Sequence, residues 1–176
     1  MKKYYILEND KNLINIIEPK GITKSINPDY VKENKIQFIN PDPEMFYIEH
    51  KSSNIYPDYI KKHLPFISDK LYCIFSGLNI KNIFYKPVVF SDVKKMRMDL
   101  YWLIIPRKIN CLSDKTEFNV DGSVKKLVID SSKIGCYKVF KVKDINEDFI
   151  IVDEDIVASL CGTNATGISY VKISSI

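Results

Sequence analysis

Two histidines, four cysteines and one dense acidic run are the residues of this chain whose types can do acid–base, thiol or metal chemistry. His50, after Tyr47-Ile48-Glu49, is the candidate general base, because an imidazole titrates near neutrality. It has no recognisable partner along the sequence, and a lone histidine is the usual mark of a surface or packing residue. Asp153-Glu154-Asp155 has the composition of a hard-cation site. Three acids at a helix start also complement its free N–H groups with no metal at all, and that is the expectation adopted for them. Cys73, Cys111, Cys136 and Cys161 stand alone, without a C-x-x-C pair, so the close-spaced ligands of a zinc site are missing. Cys73 and Cys161 lie among apolar neighbours and are expected to be buried, reduced and inert. Cys161-Gly162 falls at a helix end, where a thiolate is disfavoured. The glycines are too scattered for a phosphate-cradling loop, and Gly-x-Ser-x-Gly is absent. No catalytic residue, metal or cofactor is expected, and the chain reads as a non-enzyme.

A different chemistry is concentrated between Phe46 and Phe66, where aromatic rings alternate with Pro, His, Lys and Glu. Tyrosine on irregular backbone among charges is an interface composition, since binding energy collects on a few aromatic anchors. The candidate partner-binding residues are therefore Phe46, Tyr47, His50, Tyr56 and Tyr59, with Trp102 joining them if exposed. The alternative is that these rings pack a long loop onto a sheet.

The net charge of +4 comes almost wholly from lysine, with only Arg97 and Arg107 as arginines. The runs Lys61-Lys62-His63, Lys94-Lys95-Met96-Arg97 and Lys125-Lys126 are each too short to be an electrostatic footprint, so no nucleic-acid partner is expected. No apolar run approaches the roughly 20 residues of a membrane span. Near the start, Tyr4-Tyr5-Ile6-Leu7 is broken by Glu8, too short for a secretory signal, which reads the chain as cytoplasmic.

The elements that must position these residues are legible in part. All eight prolines fall at or before Pro106, which predicts long irregular connections within 18–66, loop over 18–35 and a turn at 40–44. Met45 to Ile48 is strand-like, and Pro57 to Leu64 reads as one or two helical turns. Strands are predicted at Lys81 to Phe90, with Pro87 hinting at an edge or bulge, and at Leu100 to Ile105, covered on both faces. Three more follow at Leu127 to Asp130, Tyr137 to Val142 (one face towards solvent) and Phe149 to Val152.

Two segments are alike. Ile67-Ser68-Asp69 resembles Ile151-Val152-Asp153, and after a one-residue shift Gly77, Asn79, Ile83 and Tyr85 match Gly162, Asn164, Ile168 and Tyr170. Tyr4-Tyr5-Ile6-Leu7 echoes Tyr101-Trp102-Leu103-Ile104. The reading is a degenerate duplication of a strand–helix–strand unit, with Asp69 and Asp153 opening the helices. The competing explanation is that any two amphipathic units of this kind look alike. The expected fold class is α+β: one compact mixed β-sheet domain over 1–176, with about six to nine strands and a few short helices.

Three blocks carry a family resemblance: the opening Tyr4-Tyr5-Ile6-Leu7; Leu127-Val128-Ile129-Asp130-Ser131-Ser132-Lys133 with Val139-Phe140-Lys141-Val142; and Ile150-Ile151-Val152-Asp153-Glu154-Asp155-Ile156-Val157 followed by Thr166-Gly167-Ile168-Ser169-Tyr170. Together they resemble a bacterial immunity family of polymorphic toxin systems, the eleventh catalogued and formerly a domain of unknown function. The similarity is most specific over residues 125–173, and the proline-rich stretch 18–66 departs from it. It implies a cytoplasmic protein that binds and neutralises a cognate toxin protein, with no catalytic signature. The alternatives are a small modifying enzyme or a regulatory binding module with no toxin partner.

Overall fold

A computed structural model describes residues 2–176. The strands are β1 (Tyr4–Asn9), β2 (Glu44–Tyr47), β3 (Tyr59–Lys61), β4 (Pro65–Ser68), β5 (Ile83–Asp92), β6 (Arg97–Pro106), β7 (Lys108–Ile109), β8 (Glu117–Phe118), β9 (Val124–Lys126), β10 (Val128–Ile129), β11 (Val139–Val142), β12 (Ile150–Asp153) and β13 (Ile168–Ser175). The helices are α1 (Ile22–Ser25), α2 (Pro28–Lys32), α3 (Asp69–Gly77) and α4 (Glu154–Gly162). The α+β class holds, but the strands divide over two mixed sheets and a short β8–β9 ribbon rather than forming one sheet.

The strand–helix–strand repeat recurs in the strand pairing. One sheet runs β2-β5-β6-β4-β3 and the other β10-β13-β1-β12-β11-β7. In each, a central strand is flanked antiparallel by the two strands of a strand–helix–strand unit: β6 between β4 and β5, and β1 between β12 and β13. Tyr101 opposes Ser68 and Val88 as Tyr4 opposes Asp153 and Ile173. The N-terminal strand therefore completes the C-terminal half. The match needs no one-residue shift, because Ser68, not Asp69, is the counterpart of Asp153. Ser68 Oγ accepts from Leu71 N–H and Asp153 Oδ1 from Ile156 N–H, each satisfying an otherwise free donor of the first turn.

Both helices also end alike. Asn79 and Asn164 take left-handed φ values of 55° and 52°. The amides of Ile80 and Asn79 return to Phe75 and Ser76 carbonyls, as those of Ala165 and Asn164 return to Leu160 and Cys161. This closure uses asparagine where glycine is commoner, because its short polar side chain tolerates the left-handed region.

The middle core lies between the halves and is built from counterparts: Leu71 with Ile156, Phe75 with Leu160, Ile67 with Val152, Tyr59 with Val139, Leu7 with Ile104. Removing a side chain such as Phe75 from water is worth about 2–3 kcal/mol. Two outer cores flank it. One gathers Phe46, Phe66, Phe90 and Leu103 beneath the 17–39 segment. The other gathers Tyr4, Ile6, Phe140 and Ile151 beneath 109–134.

Four local expectations are corrected. Residues 57–64 contain β3, not helical turns, because Tyr59 and Ile60 alternate between the middle and an outer core. The 18–35 loop contains α1 and α2, the latter opened by Asn27 capping Asp29 N–H with Pro28 in its first turn. No face of β11 meets solvent: all four residues are buried, Lys141 included. Cys73 and Cys161 are exposed and Cys111 is the buried thiol. Leu71 and Phe75 take the inner face of α3 at i,i+4, which turns Cys73 outward. Pro87, by contrast, sits where a missing N–H costs nothing, since β2 pairs with β5 only from Val88 onward.

The halves meet at two equivalent junctions. Each lies beside a backbone bond internal to one half: Asp10 N–H to the Gly167 carbonyl in the second, Arg107 N–H to that of Asn82 in the first. At the first junction Asp58 accepts from Thr166 N–H at 2.8 Å, Ser68 Oγ at 2.7 Å and Lys70 Nζ at 3.1 Å. Burial alone would raise the Asp58 pKa, but these donors outweigh it and hold the carboxyl below its ordinary 3.8. Gly167 (φ 82°) makes the close approach feasible: a Cβ there would lie 2.6 Å from Pro57 Cβ and 2.7 Å from the Tyr59 carbonyl. At the second junction the equivalent position is Asn82, whose Nδ2 instead donates to the Val139 carbonyl.

Two predictions follow from these junctions. Gly167→Ala combines a left-handed φ with overlap against rigid backbone, and should cost about 2 kcal/mol or more in urea unfolding. Asp58→Asn should lower stability at pH 7. A depressed carboxyl contributes above its unfolded pKa and loses that contribution as pH falls through its folded value. The gap between variant and parent melting temperatures should therefore close on acidification below about pH 4.

Candidate functional site

The β5–β6 hairpin reaches beyond its own half. Its tip, Val93 to Met96, has no counterpart, since the equivalent connection would join β13 to β1. At its base Asp92 is fully buried. Its Oδ1 accepts Lys95 N–H at 3.2 Å, while Oδ2 lies 3.0 Å from His50 Nδ1 and accepts the Tyr56 hydroxyl at 3.3 Å. Burial pushes the Asp92 carboxyl up, yet the bonds from His50, the Lys95 amide and Tyr56 together leave it below its ordinary value. Burial, helped by the Asp92 charge, raises the Tyr56 phenol. Arg97 lays its guanidinium 3.6 Å from the Tyr56 ring centroid and is gripped by Asp99 at 2.6 and 3.0 Å. Asp92 from beneath and Arg97 across the Tyr56 ring thus clamp the hairpin.

The apolar residues face outward. Strand register lines up Met45 with Val89 and Leu100, and Tyr47 with Ser91 and Met98, on one face of the sheet. Tyr47 is 58% exposed, Met98 62% and Met96, at the tip, 94%. α3 covers this face only as far as Trp102, which stacks on Tyr72 at 3.8 Å and donates from Nε1 to Asp69 Oδ1 at 2.9 Å. Beyond Trp102 nothing covers it. A contiguous exposed apolar face on an otherwise well-packed protein is the mark of an interaction surface.

Of the six candidate partner-binding residues, Tyr47 lies on this face and Trp102 at its inner margin. His50 and Tyr56 lie behind it, holding the hairpin through Asp92. Phe46 and Tyr59 are in the cores, Phe46 pointing to the opposite side of β2 and Tyr59 wholly buried between the halves. Sequence reading missed Met45, Met96, Met98 and Leu100. The alternation of Met98, Leu100 and Trp102 with Arg97, Asp99 and Tyr101 was the signal, and only Leu100 onward was read as a strand. Both faces of this strand end are partly exposed, so the alternation marks the side opposite Arg97 and Tyr56 rather than a buried face.

His50 and Asp92 have the spacing of a general base and the carboxylate that orients it. None of the hydrogen bonds among the described residues joins a hydroxyl or thiol to the His50 imidazole. No group of three or more His, Cys, Asp or Glu side chains among the described residues is placed to hold a metal ion. Asp153 is buried and paired with Lys2 at 2.6 Å, while Asp155 pairs with Lys138 at 3.2 Å. No helix among the described residues is long and apolar enough to cross a membrane. In comparison with known proteins, no family model matches the chain and no curated protein matches it.

The clamp makes a definite prediction. Asp92→Ala strands the Lys95 amide and frees Tyr56, so amide exchange over 93–97 should accelerate while α3 and α4 keep their protection. Equal loss of protection throughout would mean that Asp92 supports the whole fold rather than the hairpin.

Proposed function

We propose that this chain is an immunity-type protein that neutralises a cognate bacterial toxin domain by binding it through the outer face of β2, β5 and β6. One observation carries the reading: a clamped hairpin, present in only one half, presents Met96, Met98 and Leu100 to solvent beside Tyr47 of β2. Methionine and tyrosine suit this task, the first adapting to irregular contours and the second supplying a stiff ring with a polar tip. A specific interface of about 1,600 Å² needs only a few such anchors to hold most of its energy. Lys94 and Lys95 are exposed at the rim and favour an acidic border on the partner. The resemblance of residues 125–173 to a polymorphic-toxin immunity family supplies the toxin as partner and the cytoplasm as the place of encounter. A small modifying enzyme is the second reading, favoured only by the His50–Asp92 pair.

Co-expression with the protein encoded immediately beside this one tests the reading. Immunity predicts that the cells survive and that the two chains co-purify. Tyr47→Asp and Met98→Asp together should abolish both while leaving the melting temperature within a few degrees, because neither side chain is in a core. Survival without a complex, lost instead in His50→Ala, would replace binding with catalysis.

A further inference from the structure

The two junctions between the halves differ in charge. At the closed one, Asp10 and Asp58 stand where the other has Arg107 and Lys138, and Thr166 stands where the other has Lys81. The Lys70–Asp58 ion pair recurs with its signs exchanged as Asp155–Lys138. Lys81, Arg107 and Lys108 form no ion pair with any described residue. Between them lies an open cleft of about 790 Å³ at the end of the β5–β6 hairpin opposite its tip. Ile36, Phe84 and Ile105 give it an apolar floor. Tyr137 forms one wall, its hydroxyl 3.3 Å from an Arg107 guanidinium nitrogen. Asn34 Nδ2 donates to the Pro106 carbonyl, but its Oδ1 is buried without a partner.

We propose that this cleft binds an extended acidic segment of a partner protein, with carboxylates on Lys81, Arg107 and Lys108 and an apolar side chain on the floor. The closed junction provides the template, since there a carboxylate just ahead of β3, Asp58, ties the two halves together. Peptide chemistry fits both features at once: carboxylates for the cations and a side chain for the floor. A phosphate fits less well. Phosphate sites draw on converging backbone amides at a loop or helix N-terminus, and none of the residues lining this cleft belongs to the first turn of α1, α2, α3 or α4. The proposal does not depend on the hairpin face, which uses other residues at the far end of the same strands.

The test uses the full chain, ¹⁵N-labelled, in 100 mM salt. The probes are a fluorescent octapeptide of alternating Glu and Leu, an eight-nucleotide oligothymidylate and inorganic phosphate. The peptide is expected to bind saturably and to shift the amides of 81–84, 107–108 and 137. Lys81→Gln with Arg107→Gln should weaken it at least about tenfold, whereas Lys11→Gln with Lys172→Gln, exposed and outside both surfaces, should leave it unchanged. Absence of saturable peptide binding, or shifts centred elsewhere, would overturn the proposal. Tighter binding of the oligonucleotide at the same amides would reassign the cleft to nucleic acid. Full displacement of the peptide by millimolar phosphate would reduce it to a simple anion site. Loss of the neighbouring-gene complex in the Tyr47 and Met98 variants, with peptide binding retained, would separate the two surfaces.

Discussion

Two lysine ammonium groups are drawn out of water against one aspartate, and the joining of the halves depends on that contact. Lys61 ends β3 and Lys141 lies at the same point of β11, so the duplication delivers both to one end of the shared core. Lys141 Nζ lies 2.7 Å from Asp148 Oδ1 and donates to the Val31 carbonyl at 3.0 Å, while Lys61 donates to the Asp148 carbonyl. Burial lowers both lysine pKa values, and the Asp148 charge works against it. Desolvating two cations is costly unless each is paired and hydrogen-bonded. A mispacked arrangement would leave at least one stranded, so the cluster penalises any other way of docking the halves. Through Val31 it also fixes α2, and with it the segment that roofs the first outer core.

The sequence carried the duplication more clearly than it carried the sheets. Gly77 and Gly162, Asn79 and Asn164, and Tyr85 and Tyr170 sit at helix ends and strand starts, where backbone geometry restricts residue choice, and they align directly. Strand β3 was illegible because its three residues serve three environments: Tyr59 in the middle core, Ile60 in an outer one and Lys61 on Asp148. Three residues are too few to show a period, and Pro57 ahead of them imitates a helix start. Lys141 looked like a surface residue because its partner, Asp148, lies in a turn and nothing local announces the pair. The candidate site suffered the same way. Aromatic composition between Phe46 and Phe66 could not say which rings were structural, and burial divides them: Tyr47 outward, Phe46 and Tyr59 inward, Tyr56 beneath Arg97.

Duplication usually leaves two copies of every surface, and here each has been made different. The first half carries a hairpin clamped by Asp92, and no hairpin links the equivalent strands β13 and β1. One junction closed on Gly167 and Asp58; the other kept Asn82 as a prop, gathered cations and stayed open. Both asymmetries arise from side chains attached to a common backbone plan, so the cores that hold the halves together were not disturbed by them.

The placement of β1 between β12 and β13 also governs the order in which the protein can assemble. The first sheet is drawn from one continuous stretch, 44–106, and can form as soon as that stretch is available. β1 is made before it, yet both of its neighbours are made last. Tyr4 to Leu7 must therefore wait as an unsatisfied apolar strand while nearly all the rest of the chain is synthesised, and their pairing closes the longest loop in the molecule. Such late, distant pairing is slow and leaves a sticky edge exposed in the interval. Arrest before that pairing would yield a protein with one finished sheet and one open one.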